Sequence, residues 1–335
     1  MTSSPNVSRR RALQIVASTF GAAVLPGGAA RSNSAEASAV WRGTVMNAPA
    51  SLAIYCEDHR RAENALNGAI SEARRLERIF SLYDPASDIC RLNATGRLVS
   101  PAPELVRLLT EAHTISVATA GAFDATIQPL WRLYAEHFAR NPNDSKGPSA
   151  AERAAACALV DYLAITISPD ELSFGRPGMA ISLNGIAQGF VTDRVTDFLR
   201  DEGFSTMMVD LGEPRMSGQY PQGASWPVAV MDPELSGRIL KRLSISSGAV
   251  ATSQGAGTVF EPSGHNHHIF DPKSGTSAAL YRSVTVVAPT ATLADGLSTG
   301  LSILPPERVE LICAAYNEVG IFAELADGAF IAFTA

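Results

Sequence analysis

The chain has 335 residues, 46% of them hydrophobic and 18% charged, enough for one large domain or two intimately joined ones. Its net charge of −6 offers nothing that resembles the basic face needed to grip nucleic acid without regard to sequence. Four scattered cysteines, Cys56, Cys90, Cys157 and Cys313, make no CxxC and no Cys/His spacing suited to zinc. They read as free, mostly buried thiols, or as one disulfide in an oxidising compartment.

At the N-terminus Ser8-Arg9-Arg10-Arg11 precedes an uncharged stretch, 12–30, rich in Ala, Val, Leu and Gly. Small residues follow, including Ala35 and Ala37-Ser38-Ala39. A basic start, an apolar middle and a small-residue end describe an export signal, not a folded element. The adjacent arginines resemble a twin-arginine signal, with Ala12 where a Phe is usual. The expected division is a twin-arginine-type signal peptide and leader over 1–38 and one domain over 39–335, placed in the periplasm. An ordinary secretory signal or an uncleaved anchor are the alternatives. With no Cys near the cleavage region, the protein is not a lipoprotein. Losing Arg9, Arg10, Arg11 and Arg31 takes the net charge from −6 to −10, or to −9 if Glu36 goes too.

Beyond the leader, 45–56 reads as a strand broken like a hairpin around Asn47-Ala48-Pro49. Over 60–80, Ala65, Leu66, Ile70, Ala73, Leu76 and Ile79 recur at helical spacing, and Pro85 follows the helix end. A second helix is expected over 103–120, closed by Gly121, and a surface loop over 141–148. Short strands are expected at 164–167, 172–174 and 180–183. A third helix over 187–202 has Phe190, Val191, Val195 and Phe198 inward and is stopped by Gly203. Further strands are expected at 206–211, 228–231, 243–246, 267–270 and 284–288, then a helix at 294–304 and closing strands at 321–324 and 330–333. Strands in runs with hairpin-sized breaks, interrupted by a few helices, predict an α+β fold with mostly antiparallel sheets and packed helices, against a doubly wound parallel sheet.

Four stretches carry residue types that are unusual for pure packing. Thr119-Ala120-Gly121-Ala122-Phe123-Asp124-Ala125-Thr126 closes a helix, and Asp124 either fixes a ligand ring edge or caps local backbone. Ser182-Leu183-Asn184-Gly185-Ile186-Ala187-Gln188-Gly189 turns a strand into a helix, whose first N–H groups suit a phosphate, or simply make a tight turn. Three of the six histidines fall at His265, His267 and His268, just before Asp271-Pro272 and Gly275. Strand alternation sends His267 and His268 to opposite faces, so one can serve as a base near neutral pH without the other sharing its site. In Ala294-Asp295-Gly296-Leu297-Ser298-Thr299, Asp295 and Thr299 stand four apart, on one face of a helical turn. Asp295 is either an N-cap or, with the hydroxyl and a backbone carbonyl, part of a site for a hard cation, for which magnesium fits best.

In this order the stretches resemble the ApbE family of FAD:protein FMN transferases, from about Trp41 to Phe333. Gly43-Thr44 matches the family's Met-Gly-Thr, with Arg42 in place of Met. Ser81-Leu82-Tyr83 followed by Ser87-Asp88 and Asn93 is similar to its Ser-x-Tyr and Ser-Glu-x-x-x-x-Asn signature, and 119–126 to its Thr-x-Gly-x-Phe-Asp-x-Thr. His268-Ile269-Phe270-Asp271-Pro272 with Gly275, and 294–299, match two further motifs. The resemblance implies a T-fold-like duplicated core, FAD as substrate, Mg²⁺, and transfer of FMN to a threonine or serine hydroxyl of an exported redox flavoprotein, with AMP leaving. Carried across, Asp295, Thr299 and the Gly185 carbonyl would hold the metal. Tyr83, Ala122, Phe123, Asp124, Ser182, Gln188 and Ile269 would line FAD, and His268 would be the base. The leader is also similar to that of the NosX branch, linked to maturation of the flavoprotein NosR, so the acceptor would be NosR-like or another respiratory redox subunit. Departures are Gln188 for a common Lys or Glu, Ser182 for a common Asp, and Leu211-Gly212-Glu213-Pro214 where a Gly-Gly pair is usual. A FAD pyrophosphatase giving FMN and AMP, or a non-catalytic flavin-binding protein, are the alternative functions.

Overall fold

Met46 and Asn47 both take left-handed backbone angles, φ 50° and 62°, the pair that a two-residue hairpin turn demands. The computed structural model, which describes residues 22–24, 37–142, 144–233 and 238–334, therefore starts its main sheet with a tight hairpin. Strand β2 (Ala39–Val45) pairs residue for residue with β3 (Ala48–Ile54). A short β1 (Ala22–Val24) lies elsewhere; the rest of the expected leader, apart from residues 37–38, is outside the described residues.

Helix α1 (His59–Phe80) is capped by the Asp58 carboxylate, which accepts from the Arg61 N–H. Its buried Ala62, Ala65, Leu66, Ala69, Ala73, Leu76 and Phe80 form the stripe that its spacing predicts. Helix α2 (Asp88–Thr95), strand β4 (Arg97–Val99) and α3 (Pro103–Ala118) follow. Then come α4 (Gln128–Arg140), α5 (Ala150–Cys157), β5 (Ile165–Ile167), β6 (Glu171–Phe174), α6 (Ala187–Asp201), β7 (Met207–Asp210) and β8 (Pro214–Ser217). The remainder is β9 (Trp226–Met231), β10 (Ile239–Ile245), β11 (Gly248–Gln254), β12 (Tyr281–Ala288), α7 (Ala291–Leu301), α8 (Pro306–Ala315), β13 (Gly320–Leu325) and β14 (Phe330–Thr334).

Eight strands form one sheet in the order β14-β13-β12-β11-β8-β7-β3-β2, antiparallel at every pairing. The fold is α+β, as expected. Two three-stranded sheets, β1-β9-β10 and β4-β6-β5, are antiparallel as well. Adjacent side chains of the large sheet go to different cores. Val209, Ala251 and Val286 face the helices with Phe190 and Leu297, whereas Met208, Val250 and Val287 face Trp226 and Val228 of β9. This follows from the two-residue period of a strand, and it buries the centre of the sheet on both sides. A third core of Leu130, Tyr134, Phe138 and Phe270, with Phe260 against it, pins the irregular segment 255–280 onto α4.

Two expected strands are not strands. Residues 180–183 run without ladder partners and are instead gripped by Asn93, whose amide bonds both the Ile181 carbonyl (2.9 Å) and the Ile181 N–H (2.7 Å). Around 267–270 only isolated bridges form, Val259 with His267 and Phe270 with Ser277. The expected helix at 294–304 begins earlier, at Ala291, with Thr290 as its cap, so Asp295 lies inside the helix and is no N-cap. All four cysteines are free, Cys313 buried and the other three half-buried. Among the described residues no helix is long and apolar enough to cross a membrane.

Candidate active site

Helices α6 and α7 start side by side. At Gly189 a Cβ would meet the Ala291 carbonyl oxygen at 2.3 Å, so only glycine lets α6 approach α7 this closely. Its N–H donates to the Asp295 carboxylate at 3.0 Å. One turn along α7, the Thr299 hydroxyl lies 3.3 Å from the Gly185 carbonyl, at the entry to α6. A Cβ on Gly185 would stand 2.9 Å from that hydroxyl. The three groups expected to hold a metal, Gly185, Asp295 and Thr299, are thus brought together where the entry to α6 packs along α7.

The electrostatics there favour a cation. Burial pushes the Asp295 carboxyl up to about 7, against the Gly189 N–H bond that favours its ionised form. Glu213, on the turn between β7 and β8, is pushed well above the ordinary carboxylate range by burial and by the charges of Asp295 and Asp210. Asp210 is raised by burial too. Neighbouring carboxylates in a low-dielectric interior need a proton or a cation among them. Among the described residues no group of three His, Cys, Asp or Glu side chains gathers as a cage, so a cation here would rely on mixed oxygen donors. That donor set is what Mg²⁺ takes beside a phosphate, so the residues present fit the ion.

The Asp193 carboxylate, from α6, holds this arrangement in place. It accepts from the Ala291 N–H (2.9 Å), the Thr292 N–H (2.8 Å) and the Thr292 hydroxyl (2.6 Å), capping α7 from a neighbouring helix. It also pairs with Arg215 at 2.6 Å, and both side chains are buried. Asp193 escaped sequence reading, although an acid on the buried face of a helix, near Phe190 and Val195, is a signal of a fixed partner.

The two histidines are not set on opposite faces of a strand as expected, since 267–270 forms only isolated bridges and the ring centroids are 6.4 Å apart, but they differ in their partners. The His267 Nε2–H donates to the Ala278 carbonyl at 2.8 Å, and its Nδ1 accepts from the Ile269 N–H at 3.3 Å, so both nitrogens are spent on structure. His268 makes one ring bond, Nδ1 to the Thr258 carbonyl at 3.1 Å. A carbonyl only accepts, which places the proton on Nδ1 and a lone pair on Nε2. Burial lowers the His268 pKa to about 4, so the ring is neutral at physiological pH. The end of β11 and the turn Gly255–Gly257 that follows it lead from the expected metal ligands to this ring. Ser253 touches Thr299, and four residues on, Gly257 faces the His268 ring at 3.5 Å from its would-be Cβ. Four extended residues span at most about 14 Å.

The expected flavin-lining residues are placed less uniformly. Phe123 is buried in the main core, and a Cβ on Gly300 would lie 2.9 Å from the Phe123 Cβ, so this segment supports α7 directly. Ala122 is buried beside it. Asp124 spends one oxygen on the Thr126 N–H and hydroxyl and the other on the Tyr162 N–H, and burial raises its pKa. Its side chain therefore performs the backbone-capping role. The Ser182 N–H donates to the Ala125 carbonyl at 2.8 Å, joining that segment to the entry of α6. The Gln188 side chain lies over Gly212, whose φ of +117° and lack of a Cβ leave it room. Ile269 is buried behind His267, and its carbonyl accepts from the Ala278 N–H at 2.8 Å. Tyr83 stands in an exposed turn with 74% of its surface open. At the α6 start, the Ile186 and Ala187 N–H groups bond the Leu183 carbonyl and that of Gly189 bonds Asp295, so a phosphate there would find these donors already engaged.

The chain thus presents an antiparallel α+β scaffold that gathers oxygen donors from two packed helices, with a neutral imidazole on a neighbouring segment. The comparisons narrow this to a family. The ApbE family profile matches residues 46–322. A FAD:protein FMN transferase of Vibrio cholerae is 30% identical over 249 residues, 72% of this chain and 73% of that protein. Another, from Haemophilus influenzae, is 28% identical over 253 residues, 72% of this chain and 73% of its own. Among solved structures, the ApbE protein of Thermotoga maritima superposes with a TM-score of 0.78 at 23% identity, covering 88% of this chain and 96% of that one. The apo flavinyl transferase ApbE of Pseudomonas stutzeri gives 0.75 at 25%, covering 89% and 94%. The chain belongs to the ApbE family.

Proposed function

We propose that this chain is a Mg²⁺-dependent FAD:protein FMN transferase that places FMN on a threonine or serine hydroxyl of an exported redox flavoprotein and releases AMP. The observation that carries the reading is the placement of the Gly185 carbonyl, Thr299 hydroxyl and Asp295 carboxylate where two packed helices adjoin, with the neutral His268 ring against Gly257, four residues along the chain from Ser253. The names of the relatives supply the flavin and the protein acceptor.

In the reaction the acceptor oxygen attacks the FMN phosphorus, a new P–O bond forms, and the bond to the AMP oxygen breaks. His268 Nε2 takes the hydroxyl proton, a contribution of roughly 10²–10⁴-fold for a positioned base. The cation, when bound, draws charge from the non-bridging phosphate oxygens. Asp193 and the Gly189 N–H hold α7 and its carboxylate still, so that the donors need no rearrangement.

The test is to incubate the protein with FAD, Mg²⁺ and a candidate acceptor domain and to weigh the acceptor. A mass gain of one FMN, absent from the threonine-to-alanine acceptor, is the expected result. Free FMN and AMP with no gain on authentic acceptors would favour the pyrophosphatase reading, and FAD binding without turnover the non-catalytic one.

A further inference from the structure

Three hydroxyl groups and one carbonyl lie in a row beside the candidate metal ligands. The Ser298 hydroxyl donates to the Asp295 carbonyl at 2.9 Å. The Ser253 hydroxyl, from β11, is 2.8 Å from that of Ser298 and 3.2 Å from that of Thr299. Each hydroxyl has one hydrogen, so the directions can be assigned by counting. Ser298 has spent its hydrogen on the Asp295 carbonyl, hence Ser253 donates to Ser298. Ser253 then has no hydrogen for Thr299 and can only accept from it. The Thr299 hydrogen has two acceptors, the Gly185 carbonyl at 3.3 Å and Ser253.

A cation held by both the Gly185 carbonyl and the Thr299 hydroxyl disfavours the first choice, because a hydrogen lying between two oxygens that face the same cation is repelled by its charge. We infer that Ser253 is a positioning residue that accepts the Thr299 hydrogen and so turns a lone pair of that hydroxyl toward the cation. The relay runs Thr299 to Ser253 to Ser298 to the Asp295 carbonyl, and so ties one metal ligand to the backbone of the other. Strand β11 holds Ser253 in register against β12, where Ser253 pairs with Val284. Partners that orient a metal ligand in this way typically change affinity by about 10–100-fold.

This inference rests on the metal reading above, and calorimetric titration of Mg²⁺ into the full chain, without FAD and again with FAD saturating, separates the two. Wild type binds Mg²⁺. Ser253→Ala is expected to bind it about tenfold more weakly, with the metal-free thermal midpoint lowered only by the lost bond to Ser298, and Ser253→Thr, which keeps a hydroxyl, to recover most of the loss. In a Thr299→Ala background, Ser253→Ala is expected to have no further effect, since the hydrogen it accepts is gone. Wild-type affinity in Ser253→Ala, or an equal loss in both backgrounds, would overturn the proposal while the metal site stands. Failure of the wild-type chain to bind Mg²⁺ would overturn the metal site and this role with it.

Discussion

At the scale of single residues, protonation separates the two groups that matter most. His268 must be neutral to accept a proton, and burial lowers its pKa from 6.5 to about 4. Turnover with FAD and Mg²⁺ saturating should therefore stay level through neutral pH and fall only as pH drops through about 4. A pH–rate profile that already declines near 6.5, the ordinary value, would show that burial does not lower this ring's pKa, and an unchanged decline in His268→Ala would show that the ring is not the base. His268→Ala should cut transfer by roughly 10²–10⁴-fold without loss of FAD binding. Asp295 shifts the other way. Between its ordinary 3.8 and about 7, the folded chain keeps a proton that the unfolded chain has released, so metal-free stability declines as pH rises across that window. Asp295→Asn keeps an oxygen for the Gly189 N–H and removes that decline. At about pH 8 the variant without metal should melt at or above the wild-type temperature, and Mg²⁺ should raise the midpoint of wild type alone. A Mg²⁺ shift that survives in the variant would exclude Asp295 as a ligand.

Among the elements, α7 owes its position to another helix. Asp193→Ala takes away the partner of two N–H groups and one hydroxyl at its start and leaves Arg215 buried without its carboxylate. Breaking such a buried pair typically costs about 3–5 kcal/mol, readable as a lower denaturant midpoint, and Mg²⁺ affinity should fall with it. A variant as stable as wild type would show that α7 is held by packing alone. This dependence also marks where the sequence was readable. Helices α1, α3 and α6 announce themselves through long apolar stripes and through stops at Gly121 and Gly203, both with positive φ. Helices α2, α4, α5 and α8 passed unseen: α2 and α5 are eight residues each, too short for a stripe, and α4 turns its aromatic face to a separate small core. Even so, α5 carried a local signal in its Ser149 and Glu152 capping box. Strand β11, buried on both faces and composed of Gly, Ala, Val, Thr, Ser and Gln, lacks the alternation that reveals a half-exposed strand. With it Ser253 was overlooked. That Asp295 and Thr299 share a face is legible from their spacing within one helix, whereas the partners of Ser253 and Asp193 lie on other elements and no local spacing names them.

For the whole molecule, the pairings β11-β8 and β7-β3 join segments far apart in the chain, and no local pattern specifies them. The start of the folded domain is better marked. The Ser38 N–H donates to the Ile54 carbonyl at 2.7 Å, and the Ser38 carbonyl meets the His59 ring at 2.9 Å, so the hairpin is tied down from its first residues. The site needs nothing upstream of that tie: each of its ligands, its base and its positioning residues lies between Asn93 and Thr299. Were residues 1–38 removed as a leader, four arginines and Glu36 would go with them and leave a domain of net −9, and the pairing of β1 with β9 and the Ser38 tie would be lost as well. A site assembled from strands and helices far apart in sequence, with free thiols, suits export of the already folded chain. If the twin-arginine route is used, Arg9→Lys with Arg10→Lys should hold the protein inside the cell at full precursor mass with its transferase activity intact. Export and trimming of that variant at the wild-type rate would point to the ordinary secretory route, which reads positive charge and not the arginine pair.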